Sequence, residues 1–178
     1  MTQDKASGAK HALNKTMDAV GGAVGQASAA VATSADQFAP NAAISDQYEI
    51  EAGRIAQERA RSPDVRDAGE HMVRDHTESS AQLKDAVARS EKVTAADLPT
   101  ELDSRRQGMI DHLREAPDDK FDKTYVDQQV AAHEEAVTMM HRFRSDGDCP
   151  VLRGFAEQVS PVIEGHLDRM KQLRKVLS

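Results

Sequence analysis

The sequence predicts an all-α protein: a four-helix bundle with one long helical crossover and an extra N-terminal helix. Three observations carry this. Aromatics make up 3% of the 178 residues, Trp is absent and Pro numbers 6, so strands lack their usual material while helix formers abound. Four segments repeat apolar residues at alternating steps of three and four, the period of one helix face. Between the second and third of these, residues 90–120 give the length that one crossover needs to dock two antiparallel hairpins. A chain of 178 residues holds one core plus an appendage. Residues 1–40 read as an Ala/Gly-rich helix or tail and residues 41–178 as the bundle.

In residues 7–35, Leu13, Met17, Val20, Val24, Ala27 and Val31 form a narrow helical seam. The run Gly21-Gly22-Ala23-Val24-Gly25 lowers helicity but lets another backbone approach closely. A helix docked on the body or on a neighbouring chain is expected here, with a disordered tail as the alternative. The seam makes a homo-oligomer through this helix the partner expectation. An interfacial membrane helix fits less well, because Lys5, Lys10 and Lys15 cluster at one end with only Leu13 and Met17 as large apolar residues. Phe38-Ala39-Pro40 should close the segment.

The first bundle helix is expected over 45–61, capped by Ser45 or Asp46, with Ile44, Tyr48, Glu51 beside Ala52, and Ile55 inward. Ser62-Pro63-Asp64 breaks it, and the next runs to about residue 89. Its stripe is Val65, Gly69, Met72, His76, Ser79, Leu83 and Val87, with a histidine where a leucine would be expected. In the crossover, Asp97-Leu98-Pro99 is a stop and residues 100–115 are a helical piece carrying Leu102, Met109, Ile110 and Leu113. The third helix, 121–144, centres His133 among Val126, Val130, Val137 and Met140. After a turn at 145–148, the fourth, 149–177, sets His166 among Leu152, Phe155, Val159, Val162, Met170, Leu173 and Leu177, with a kink expected at Pro161.

Heights along the helices bring these ionisable residues together. Glu51 lies eleven residues before Ser62 and His76 fourteen after it, so the two should meet. His133 lies fourteen residues before Gly147 and His166 nineteen after it, a mismatch that the lean of helical side chains reduces. Glu51, His76, His133 and His166 form a candidate site for one zinc, iron or manganese ion, with Asp75 and Glu134 as further ligands rather than outer partners. The metal-free alternative is a buried layer of hydrogen-bonded histidines that fixes register. A two-iron carboxylate site needs Glu-x-x-His pairs, but Val73, Val130 and Ile163 stand three residues before the histidines. His71, His112 and His141 fall off the stripes and are expected in solvent. Cys149 is the only cysteine, which excludes an intramolecular disulfide and a cysteine zinc cage and reads as an inert thiol.

A net charge of -7 and a pI near 5.5 leave no basic face for nucleic acid. No apolar run is long enough to be a transmembrane segment. The first thirty residues lack the secretory signal pattern, so a cytoplasmic location is expected.

Several segments together resemble a bacterial family called domain of unknown function 4142. They are Glu49 to Ala56, His71 to Thr77, Asp97 to Pro99, Phe121-Asp122 with Tyr125, Val130 to Glu135 around His133, and Phe155-Ala156 leading to His166-Leu167. The resemblance covers residues 44–176 and implies membership of the ferritin-like superfamily. It points to Glu51, Asp75, His76, His133 and His166, and, because members are often exported, to a periplasmic alternative location. The functional expectation is a binding or stress-related protein with a single metal site and no catalytic residues assigned. The alternatives are a metal-dependent oxidase or peroxidase, or a purely structural oligomer.

Overall fold

Proline and aspartate set several helix starts. Pro63 and Pro150 occupy first helical positions, where a missing N–H costs nothing, and Asp103 accepts from the Arg106 N–H at 2.7 Å. The computed structural model describes residues 2–29 and 32–177. Its helices are α1 (Thr2–Ala29), α2 (Ala35–Arg59), α3 (Pro63–Ala88), α4 (Ser104–Glu115), α5 (Phe121–Asp146) and α6 (Pro150–Val176), with a 3-10 turn at Ala95–Asp97. The described residues include no strand, so the all-α expectation holds.

α2 departs from expectation by starting at Ala35 instead of near residue 45, with Pro40 inside the helix. Phe38 and Ala39 are fully buried, and the Phe38 ring stacks on Phe143 with centroids 3.9 Å apart. Burial of this turn outweighs the hydrogen bond that Pro40 removes. Asp148 supplies the cap that Ser34 does not: its carboxylate accepts from the Ala35 N–H at 2.8 Å, and its own N–H donates to the Thr33 carbonyl at 3.0 Å.

α2 packs along α3 and α5 along α6, and the pairs meet through α3 with α6 and α2 with α5. Two apolar clusters fill the interior. One gathers Phe38, Leu83, Phe143, Leu152 and Phe155; the other gathers Tyr48, Met72, Ile110, Phe121 and Tyr125. On each of the four helices a polar residue falls in sequence between its contributions to the two clusters: Asp46, His76, His133 and His166. A polar layer therefore interrupts the core at one level.

α1 lies against α5 and α4 through its glycines. A Cβ on Gly25 would meet the Glu135 carboxylate, one on Gly21 the Arg105 side chain, and one on Gly22 the Ala131 methyl. The seam faces the other way: Leu13, Met17 and Val20 are 62%, 65% and 58% exposed, and Ala27 is exposed too. Val31 and the Val24 side chain lie outside the described residues. The docking face is the glycine face because it permits the closest approach. No helix among the described residues is long and apolar enough to cross a membrane.

Candidate metal centre

Four helices each contribute one member of the polar layer. His76 on α3, His133 on α5 and His166 on α6 are all buried, with ring centroids 5.4 to 5.7 Å apart. Each ring has one nitrogen engaged outward. His76 Nδ1 donates to Asp46 Oδ1 at 2.8 Å, His133 Nδ1 to the Gln129 carbonyl at 2.9 Å, and His166 Nε2 to Asp75 Oδ2 at 2.9 Å. Acceptors at these positions fix the tautomer, so the lone pairs sit on His76 Nε2, His133 Nε2 and His166 Nδ1. Those same three nitrogens are buried without a hydrogen-bond partner. One ligand atom from each ring falls within 4.8 Å of the others.

Unpartnered buried imidazole nitrogens are costly unless something fills the space between them. Zinc–nitrogen bonds of about 2.0–2.1 Å in a tetrahedron put the nitrogens about 3.3 Å apart, so a modest inward shift of the rings closes the site. Outward hydrogen bonds to carboxylate and carbonyl oxygens are what orient metal-bound histidines. The donor set therefore fits a metal: three imidazoles with a fourth position left open.

Charge within the layer is uneven. Burial pushes His133 well below the usual histidine range, reinforced by His76 and His166. Burial also lowers His166, and Asp75 offsets this only in part. His76 goes the other way: burial pulls it down, but the Asp46 carboxylate, together with Glu49 and Asp75, outweighs that and raises it. Below the triad, Glu49 Oε1 lies 3.7 Å from His133 Nδ1; burial pushes this carboxyl up to about 7, with His76 pulling against it. Glu49 Oε2 and both polar atoms of the Gln129 side chain are buried without hydrogen-bond partners.

The layer borders a surface crevice. This crevice, of about 230 Å³, lies between α3 and α6 and counts the buried His76 and His166 among its lining residues. Val159, Val162 and Ile163 form one wall, while Asp75 and Glu78 give the mouth a negative charge. Such a mouth favours cations.

Of the expected site residues, the structure brings His76, His133, His166 and Asp75 together. Glu51 is not brought to the cluster: its carboxylate accepts from Arg114 at 2.7 Å on a different face of α2. The expected Glu51–His76 meeting is replaced by Asp46–His76, because residues 46 and 49, not 51, share the α2 face turned to the layer. Asp75 takes the outer role that sequence reasoning set aside, reaching across to His166 instead of its neighbour His76. Glu134 pairs with Lys171 at 3.0 Å. His71 and His141 are partly open to solvent, as expected, but His112 is buried beneath α1 against Asp18 at 2.5 Å. Sequence reasoning missed Asp46 and Glu49. The signal for them was an acidic pair at i and i+3 flanked on the same helix face by Ala42, Ala52, Gly53 and Ala56.

A family model described as Domain of unknown function (DUF4142) matches residues 22–173. No curated protein and no solved structure matches the chain.

Proposed function

The chain belongs to the DUF4142 family, whose description assigns no activity, and we propose from the site itself that this is a metal-binding protein with one mononuclear three-histidine centre. His76, His133 and His166 would hold the ion within a ferritin-like four-helix bundle. One observation carries the reading: the three nitrogens without partners are the three that face one another, while the outward nitrogens are all satisfied. A purely structural histidine layer would pair its inner nitrogens with one another or with a side chain.

All-nitrogen donors suit zinc or iron better than manganese, which prefers oxygen ligands. When bound, such an ion supplies Lewis acidity or redox chemistry at the open position. The chain's own residues do the rest. Asp46, Asp75 and the Gln129 carbonyl hold the rings in their binding tautomers, and the flanking apolar clusters limit water access. The acidic mouth between α3 and α6 is the route in.

Elemental analysis of protein purified without a histidine tag tests this. We expect about one zinc or iron per chain, lost in His133→Ala. Protein that stays metal-free after anaerobic preparation and loading with either ion would overturn the reading in favour of a metal-free polar layer.

A further inference from the structure

A second crevice, of about 760 Å³, opens between α1, α4 and α5, away from the histidine triad. Its volume lies in the range of small-molecule sites. Two kinds of surface meet in it. Met109 on α4, Ala131 on α5 and Ala12 on α1 give an apolar lining, joined by the His11 and His112 rings with centroids 5.0 Å apart. Around this lining stand Lys15, Lys120 and Lys123.

Although the whole chain carries -7, the charged residues lining this crevice are Lys15, Lys120, Lys123 and Arg174 against Asp18 and Asp127. Asp127 serves two ammonium groups at once, Lys15 at 3.3 Å and Lys123 at 3.9 Å. Asp18 is turned inward, where its Oδ2 meets His112 Nδ1 at 2.5 Å and accepts from Gln128 Nε2 at 2.7 Å. Lys120 pairs at 3.1 Å with Asp119, which is not part of the crevice lining. Burial lowers the His11 imidazole, and His112, Lys15 and Lys120 push it the same way against Asp119.

An apolar lining inside a ring of lysines is complementary to one class of ligand. We propose that the crevice between α1, α4 and α5 binds a small amphiphilic carboxylate, its carboxylate among Lys15, Lys120 and Lys123 and its apolar body on Met109, Ala12 and Ala131. A bare phosphate would leave the apolar lining empty. A neutral alcohol of equal length would leave the lysines without a counter-charge. Because α1 supplies one wall, such a ligand also bridges α1 to the body.

Isothermal titration of the full-length protein with octanoate, 1-octanol and inorganic phosphate tests this. Octanoate should bind saturably at one site per chain, at least tenfold more tightly than 1-octanol or phosphate. Lys123→Glu, on a partly exposed position of α5, should weaken octanoate at least tenfold. Ala12→Phe, at an exposed position of α1 that lines the crevice, should weaken it by filling the apolar half. Circular dichroism of both variants should match the parent. Absence of saturable octanoate binding overturns the proposal, as does binding that neither substitution changes. Phosphate binding as tightly as octanoate overturns it too.

Discussion

Glu49 and Asp46 sit one turn apart on α2, and their environments give them different tasks. Asp46 accepts from His76 Nδ1, so Asp46→Asn keeps an acceptor but removes the charge that raises His76. We expect metal affinity to fall about 10–100-fold, as is usual when a carboxylate behind a ligating histidine is neutralised. Competition with a chromophoric chelator measures this, and an unchanged affinity would mean that His76 does not bind through its inner nitrogen. Glu49 is a buried acid raised from 4.5 to about 7. In metal-free protein the fold holds its proton where the unfolded chain has released it. Its contribution to stability is thus full below pH 4.5 and lost as pH rises to about 7, by ~3 kcal/mol. His76, raised, adds a loss of the same sign as pH climbs past 6.5, while His133, lowered, contributes stability present above 6.5 and lost as pH falls. Glu49→Gln isolates one group: its melting temperature minus the parent's should grow between pH 4.5 and 7 and level off above, whereas a flat difference would show that this acid does not titrate with folding. The three histidines were legible in sequence because each interrupts an apolar stripe. Their carboxylate partners on α2 were not, because Ile44, Tyr48 and Ile55 suggest a stripe through residue 51 while the face turned to the layer sets Asp46 and Glu49 among small residues, and a two-residue error in phase rotates the chosen acid by more than half a turn.

The α2–α3 pair fixes that phase through an approach of backbone to backbone. A Cβ on Gly69 would lie 2.7 Å from the Gly53 carbonyl oxygen and 2.9 Å from the Ala56 Cβ; one on Gly53 would lie 2.7 Å from the Gly69 carbonyl oxygen. Backbone cannot yield as a flexible side chain can, so Gly69→Ala must part the two helices that hold Asp46 against His76. An overpacking cost of about 1–3 kcal/mol should exceed the gain of about 1 kcal/mol from replacing a helical glycine. Gly154 in α6 is the contrast: its Cβ would meet nothing, so Gly154→Ala should stabilise by up to about 1 kcal/mol. Urea unfolding of the two variants should therefore shift midpoints in opposite directions, and matching shifts would mean that the glycine contact does not set the spacing. At this scale α3, α5 and α6 read clearly from their stripes, with Pro63 marking the start of α3. α2 did not, since Phe38 makes its first turn part of the core, a tertiary fact that Pro40 conceals from any local reading.

Among the described residues, α1 presents a row of large apolar side chains to solvent. α1 is held by polar and glycine contacts: Gln26 to Thr138 at 3.0 Å, Asp18 to His112 and Gln128, Lys10 to Glu115 at 2.8 Å, and Gly25 over a Glu135 carboxylate that Arg105 and Arg106 clamp at 2.8 and 3.0 Å. Leu13, Met17 and Val20 recur at i, i+4 and i+7 on the opposite side. Apolar residues scattered singly over a surface need no explanation, but three in one helical row do. A second copy of the chain, pairing α1 with α1 in an isologous contact, would bury both rows at once. Replacing Met17 and Val20 together by Glu should then lower the mass measured by light scattering to that of one chain, 19.4 kDa, without loss of helicity or of metal. Both substitutions lie outside the α1 docking face and the histidine layer, so a fall in mass would report the exposed row alone. If parent and variant both run as one chain, the row has no partner in its own kind, and α1 serves the body it covers.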